Sequence, residues 1–456
     1  MKTYIIAAIC LATAVQTQAQ ATYNLSQCTQ MAFENNIEMK KADIGIQQAE
    51  LQRKEVFTKF FPSVSAGGLA FKANKDLVSH DFDLTKNLPS NLVTSFRQEF
   101  PNLDRYTTFS MGLLDHFYVG SIQAIQPVFL GGRLFNGYKL TKLGVEAGNV
   151  KKEMSEQQVE KKTAEYYWQL VQLKEKVNTI NALQERLDNA LRVVQTAVKA
   201  GVKERNDLLM VQLRQNQLEK GKIQLENGIN LAKRALAQYM GLKTTDFDIA
   251  TENIDSVSGE IFSLKEDHDA AVINTPEYRL LEMQVEQKRL ERKIAVGDNL
   301  PTVGVGALAS AGKADAFDVK ANAFVFAVVN VPISKWWGGS HSIKSKKLGE
   351  QLAQDELTDN TELLKLRMQK TWDEVVSASK QLAVSKKSIE QSKENLRLNR
   401  AYYKAGTGTM TDLLEAQQLY QQAKDDYVKD YTDLQMKILE YKQATGLSVS
   451  AGEPAN

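Results

Sequence analysis

Lys404-Ala405-Gly406-Thr407-Gly408-Thr409-Met410-Thr411-Asp412-Leu413-Leu414 decides the reading of this chain, because an earlier stretch repeats it. Lys199-Ala200-Gly201 stands 205 positions before Lys404-Ala405-Gly406, and Asp207-Leu208-Leu209 stands 205 before Asp412-Leu413-Leu414. The same offset joins Gly241-Leu242 to Gly446-Leu447. Matched ends 40 residues apart mark an internal duplication, which settles the architecture before any local detail. In each copy a glycine closes one long apolar-periodic segment, and an Asn-Asp or Thr-Asp pair opens the next. The pattern predicts a helix, a tight turn and a helix running back.

Working outward, Leu25-Ser26 through Phe61-Pro62-Ser63-Val64 aligns with Leu264-Lys265 through Leu300-Pro301-Thr302-Val303 at an offset of 239. The two offsets differ by 34, and the prolines locate the difference: Pro62 to Pro127 is 65 positions, Pro301 to Pro332 only 31. The first copy therefore carries a long inserted loop, roughly Ala73 to Tyr106. The expected layout is a first repeat at 22–242, a linker at 243–261, a second repeat at 262–447 and a short tail at 448–456. Each repeat holds a helix, a β-hairpin (about 62–130 and 301–334) and a long helical hairpin, with turns at 200–207 and 405–412.

The first 21 residues read as an export signal: Met1-Lys2, an apolar run from Ile5 to Val15, then Ala19-Gln20-Ala21. The run is too short to span a membrane as a helix. Cys10 would leave with the signal, and Cys28 remains alone, so no intrachain disulfide is expected. Cys28 also lies too far past the apolar run to be a lipid attachment site. With 57 Lys and Arg against 55 Asp and Glu, no basic excess suits nucleic acid. After Leu447 only nine residues remain, so no extended C-terminal domain is expected.

Between Gly132 and Lys199 there is no proline, and Leu173, Ile180, Leu187 and Val194 recur every seven residues. Leu170, Val177, Leu191 and Val198 do the same, with Gln184 interrupting. In the second copy Met368, Val375, Leu382, Ile389, Leu396 and Tyr403 form such a stripe. Val211, Leu218, Leu225, Ala232 and Tyr239 mark the first returning helix, and Leu413, Tyr420, Tyr427, Leu434 and Tyr441 the second. Sustained seven-residue spacing predicts coiled-coil packing. Helices of nearly 70 residues reach about 100 Å at about 1.5 Å per residue.

Elsewhere the period is two. Val319, Ala321, Ala323, Val325, Ala327, Val329 and Val331 alternate with Asp318, Lys320, Asn322 and then mixed residues. Val303, Val305, Ala307 and Ala309 alternate with Thr302, Gly304 and Gly306. Ser63 to Phe71 and Thr107 to Phe129 occupy the matching places of the first copy. Alternating strands of about ten residues are the signature of a transmembrane β-barrel, with Val325, Ala327 and Val329 expected on the lipid side. If these are membrane strands rather than a soluble hairpin packed on the helices, several protomers must share one barrel, because four strands cannot close it and open edges are not tolerated in lipid. The rival reading is a periplasmic coiled-coil adaptor or scaffold without a membrane span.

The duplicated hairpin-plus-helix halves, the strand exit Pro127-Val128-Phe129-Leu130-Gly131-Gly132-Arg133 and the turn from Ala405-Gly406-Thr407 to Asp412-Leu413-Leu414 resemble the TolC family of outer-membrane efflux proteins. The resemblance covers about Tyr23 to Leu447. It implies a homotrimer whose twelve-stranded barrel, four strands per protomer, continues into a periplasmic α-helical tunnel. It further implies the exit duct of a tripartite efflux pump or type I secretion system in a Gram-negative outer membrane. The partners implied are a periplasmic adaptor, an inner-membrane transporter of the RND or ABC class, and outer-membrane lipid.

No enzymatic chemistry is expected. His80, His116, His268 and His341 are scattered without metal-ligand spacing, and no glycine-rich phosphate loop or cofactor motif is present. Gly131-Gly132 and Gly338-Gly339 read as flexible strand-to-helix joints, and Trp336-Trp337 as strand-end residues of a membrane-interface belt. Asp412 and Glu415 fit a helix N-terminus, where an acid also suits the helix dipole. The resemblance additionally places these two acids at the periplasmic gate of the tunnel, as a selectivity ring. Tyr403 falls where the family has a gate-closing tyrosine, whereas Gly408 stands in place of the family's arginine. Lys203, Glu204 and Arg205 in the first turn, with Gly406 and Met410 in the second, are the expected adaptor contacts.

Overall fold

The computed structural model describes residues 21–74, 79–100, 107–112, 116–250, 261–314 and 318–447. The expected export signal up to residue 20, the tail from 448, and residues 251–260 of the expected linker lie outside them, as do 75–78 and 101–106 of the inserted loop. The chain forms two compact units. One comprises residues 1–47, 147–282 and 355–456, and the other residues 48–146 and 283–354.

The first unit is built on heptad stripes. Its main helices belong to α4 (Arg133–Lys199), α5 (Arg205–Tyr239), α8 (Lys335–Ala405) and α9 (Met410–Ala444). The expected core positions are buried: Leu170, Ile180, Leu187 and Val194 on α4, Val211, Leu218 and Leu225 on α5, Met368, Val375 and Leu382 on α8, Leu434 and Tyr441 on α9. Trp168 and Trp372 lie in the same core and meet Tyr431 and Tyr441 ring to ring, with centroids 5.9 and 5.1 Å apart. Cys28 is fully buried and unpaired, and burial pushes its thiol up to about 12.

Four glycines end the long helices in the left-handed region: Gly201 (φ 72°), Gly241 (φ 74°), Gly406 (φ 79°) and Gly446 (φ 73°). They occupy the duplicated positions. In each case the next residue's N–H reaches back five positions, as in Val202 to the Ala197 carbonyl (2.8 Å) and Thr407 to the Tyr402 carbonyl (3.1 Å). This closure satisfies carbonyls that a helix end leaves orphaned, and only glycine adopts its φ without strain.

The N-terminal helix is two helices, α1 (Leu25–Asn35) and α2 (Ile37–Thr58). Asn36 makes the break, accepting the Glu38 N–H at 2.9 Å while its amide donates to the Tyr239 carbonyl at 3.1 Å. In the second copy Pro276 opens α7 (Pro276–Gly297) after Thr275, the position proline favours because its missing N–H has no partner there. The short α6 (His268–Ala271) precedes it. Strand β1 (Ala21–Tyr23) pairs in parallel with β6 (Phe247–Ile249), so the expected linker opens inside the folded unit.

The second unit is a sheet with helix segments at one end. Strands β2 (Ser63–Lys72), β5 (His116–Phe129), β7 (Thr302–Ala314) and β8 (Asp318–Asn330) form a four-stranded antiparallel sheet in the order β2-β5-β7-β8. The inserted loop is more than a loop. It carries β3 (Ser79–Asp83) and a helix, α3 (Ser90–Glu99), that leaves Leu92, Phe96 and nearby Phe100 exposed. Strand β3 pairs with β4 (Thr108–Gly112), so the start of the stretch expected as a sheet strand from Thr107 to Phe129 joins the insertion, and the sheet strand itself begins at His116.

Register sorts the sheet residues by face. Ala66, Ile122, Ala309 and Ala323 share one face with Ala307, Val325 and Ala327; Leu69, Val119, Leu308, Phe324 and Phe326 share the other. Two shallow hollows, of about 530 and 630 Å³, open on the small-residue face, lined by Ala124, Val305, Ala307 and Val325 and by Ala66, Ile122, Ala309 and Ala323. Val325, Ala327 and Val329, expected toward lipid, lie on this small-residue face, beside Ala124 and Ala307 on the neighbouring strands. Ser65, Ser121, Gln123, Ser310 and Asn322 lie on the Phe324 face, so the polar residues of the middle of the sheet sit opposite the side expected to meet lipid.

At the helix end of the sheet, Gly131 (φ 64°) and Gly132 (φ 78°) form a bent joint, and a side chain at Gly131 would lie 2.3 Å from the Gly297 carbonyl oxygen. The second joint works differently. Trp336, Trp337, Gly338 and Gly339 all lie in the first turns of α8 rather than on a strand end. Gly339 is there for space: a Cβ would meet the Asn299 side chain at 1.8 Å.

Candidate functional site

The two helical turns of the first unit come together at one tip. Val194, Val211, Leu396, Met410, Leu413 and Ala416 form a single apolar cluster there, edged by Val198, Leu208, Tyr403 and Tyr420. Met410, expected at the surface of the turn, is 1% exposed and forms the floor of this cluster. Its placement follows from the cap one residue before it, which turns the first side chain of α9 inward. Glu204 and Arg205 are exposed, as is the backbone at Gly406.

Thr409 caps α9 in a reciprocal box. Its Oγ1 accepts the Asp412 N–H at 3.1 Å, while the Asp412 carboxylate accepts the Thr409 hydroxyl at 2.6 Å and the Thr409 N–H at 3.1 Å. These donors, the hydroxyl first, hold the Asp412 carboxyl below the usual aspartate range. Glu415 does not join the cap. It lines a groove of about 380 Å³ between α5 and α9 with Met210, Arg214 and Leu419, and is exposed.

Tyr403 is half-buried against the tip cluster, and the Lys203 Nζ sits 4.5 Å over its ring. Burial raises the Tyr403 hydroxyl pKa, with the Asp207 charge adding to it. Lys203 belongs to the first turn and Tyr403 to the second, so this cation–π contact ties the two turns together. The sequence held a signal for it: 205 positions separate Lys203 from Gly408. The cation absent from the second turn stands at the matched place in the first. Gly408 itself is tightly held, because a Cβ there would lie 2.9 Å from Tyr402 Cβ and 3.2 Å from the Tyr403 N.

Among the described residues no group of three His, Cys, Asp or Glu side chains is placed to hold a metal ion. No described helix is long and apolar enough to cross a membrane.

Residues 28–242 match the family model described as outer membrane efflux protein. No curated protein sequence matches the chain. Solved structures with the same fold include the outer-membrane channel CmeC of Campylobacter jejuni, at 17% identity, 92% of this chain, 85% of that chain and a TM-score of 0.70. CusC matches at 14% identity over 92% of both chains with a TM-score of 0.74. The outer-membrane channel MtrE of Neisseria gonorrhoeae, solved in its open state, matches at 15% identity over 93% of this chain and 89% of that chain, with a TM-score of 0.69. Residues 28–242 thus match the model of the outer membrane efflux protein family, and more than nine-tenths of the chain shares the fold of these solved channels.

Proposed function

We propose that this outer-membrane efflux channel acts as the passive exit duct of a tripartite pump or type I secretion system, assembled from three copies. One observation carries the reading. In the four-stranded order β2-β5-β7-β8, both β2 and β8 are edge strands. An unpaired ladder edge is not tolerated in hydrocarbon, and β8 of one copy can pair with β2 of the next until the sheet closes. Three copies give twelve strands, within the known range of such barrels. The helices of the first unit then form the periplasmic passage, and the tip around Lys203, Glu204, Arg205 and Gly406 docks an adaptor that links to an inner-membrane transporter of the RND or ABC class.

Within that assembly Asp412 and Glu415 ring the periplasmic gate as selectivity residues, and Tyr403 is the gate-closing contact. Support comes from their places on one helix start and from the Lys203–Tyr403 tie between the turns. Mass measurement on the detergent-purified complex tests the reading: three copies are expected, and a stable monomer or dimer would overturn both barrel and passage.

A further inference from the structure

The four strand-to-helix junctions of the sheet unit all lie at one end of the sheet, because Ser63 pairs with Ile125, Phe129 with Val303 and Thr302 with Asn330. The helix segments there, residues 48–62, 133–146, 283–300 and 332–354, carry fourteen Lys and Arg against seven Asp and Glu. The whole chain carries a formal charge of only +2, so this end is basic and the remainder is acidic on balance. The excess is sharpest on α8, where Lys335, Lys344, Lys346 and Lys347 occur within thirteen residues without an acid.

Helix stability does not explain these charges. An N-terminus favours acids, yet neither α4 nor α8 has an acid in its first turn, and they begin with Arg133 and Lys335. Ion pairing explains only some. Lys346 meets Glu291 at 3.0 Å, Arg133 meets Asp298 at 2.9 Å and Arg292 meets Glu350. Lys335, Lys344 and Lys347 are exposed and make no ion pair among the described residues.

Large exposed aromatics accompany the cations. Trp337 is 74% exposed, and Phe57, Phe61 and Phe135 are also exposed at these junctions. Trp336 is pinned, its indole N–H donating to the Asn299 carbonyl at 2.9 Å, which fixes where the neighbouring Trp337 leaves the helix. Lys139 lies 4.5 Å over the Phe135 ring. Amphipathic aromatics beside cations, at the end of strands bound for hydrocarbon, match a surface that is apolar on one side and anionic on the other.

We infer that this end of the sheet unit is a collar that binds the phosphate headgroups of anionic phospholipids in the periplasmic leaflet, with Lys335, Lys344 and Lys347 as headgroup cations and Trp337 seated at the acyl boundary. The inference rests on the outer-membrane reading. Charge selects this occupant over the same face of a second copy, since two basic collars repel each other.

Trp fluorescence provides the test, because Trp168 and Trp372 lie buried in the other unit and contribute a constant background. The full chain, reconstituted in vesicles, is compared with brominated phosphatidylglycerol and brominated phosphatidylcholine of the same chain length. Stronger quenching by the anionic lipid is expected, with the preference falling toward one on adding salt. Replacing Lys335, Lys344 and Lys347 by Gln together should remove most of it, each basic residue near a surface being worth about a few-fold in anionic-lipid enrichment. Trp336→Phe together with Trp337→Phe should remove the quenchable component in either lipid, Trp336 being 51% exposed beside Trp337. Equal quenching by both lipids overturns headgroup recognition, and absence of quenching by either means that another copy covers the face, which also overturns it. Resistance of the vesicle-bound protein to alkaline washing is scored separately. Protein released by the wash rejects the membrane reading itself, whereas retained protein without anionic preference rejects only the collar.

Discussion

At the scale of single residues, the tip of the helical unit is governed by hydrogen bonds and close approach rather than by charge. Thr409→Ala removes the Oγ1 cap and is expected to cost about 1 kcal/mol of stability, readable as a lowered denaturant midpoint. Because the folded Asp412 pKa is depressed, the cap's contribution is complete above the unfolded value of about 3.9 and is lost as pH falls through the lower folded one. Acid titration of Asp412→Asn should lack that loss, and an identical acid profile would mean the carboxylate is not the acceptor that matters. Gly408→Arg, restoring the family's cation, should destabilise the turn by about 1–3 kcal/mol, since the first added carbon already collides with Tyr402. An unchanged melting temperature would reject the tight-turn account. In the assembled channel, Asp412→Asn with Glu415→Gln should weaken block by multivalent cations in planar bilayers, because stacked rings of like charge favour a bound cation. An equally blocked double mutant would leave Asp412 with the cap alone.

At the scale of elements, strand β8 separates two readings of one pattern. Cysteines placed singly from 320 to 329, with Cys28 removed, should react with a water-soluble thiol reagent at Asn322, Phe324, Phe326 and Val328, and resist at Ala323, Val325, Ala327 and Val329. The expectation is that the apolar side meets lipid, whereas the side that also carries Ser121, Gln123, Ser310 and Asn322 lines the water-filled interior. The opposite parity would overturn the assignment made from alternation, and labelling without a two-residue period would reject the strand. The long helices needed no such arbitration. A seven-residue stripe sustained over many turns has one plausible buried face, so Ile180, Leu187, Val375 and Leu382 were legible as core before any contact was known. The tryptophan pair at 336 and 337 was not legible as helical, because the strand-to-helix switch leaves no marker there comparable to Gly131-Gly132.

At the scale of the whole molecule, the unpaired edges of β2 and β8 make assembly a condition for membrane residence. Amide exchange should report it. In the assembled complex the edge-facing N–H groups of both strands should be protected as well as those of the central β5 and β7, and they should exchange fast in a dissociated monomer. Edge strands that stay unprotected in the complex would mean that copies meet through helices alone.

The sequence by itself determined the duplication, the paired turns with their glycines, the heptad cores and the presence of membrane-type strands, because each follows from local backbone preference or from a periodicity that burial must respect. Only the tertiary structure decided what depends on residues far apart in the chain. It set the pairing of β5 with β7 that joins the two copies into one sheet, the face of that sheet on which Ser121, Gln123, Ser310 and Asn322 gather, the burial of Met410, and the reach of Lys203 across to Tyr403. Contacts between segments some 200 residues apart are fixed by packing, and no spacing within either segment encodes them.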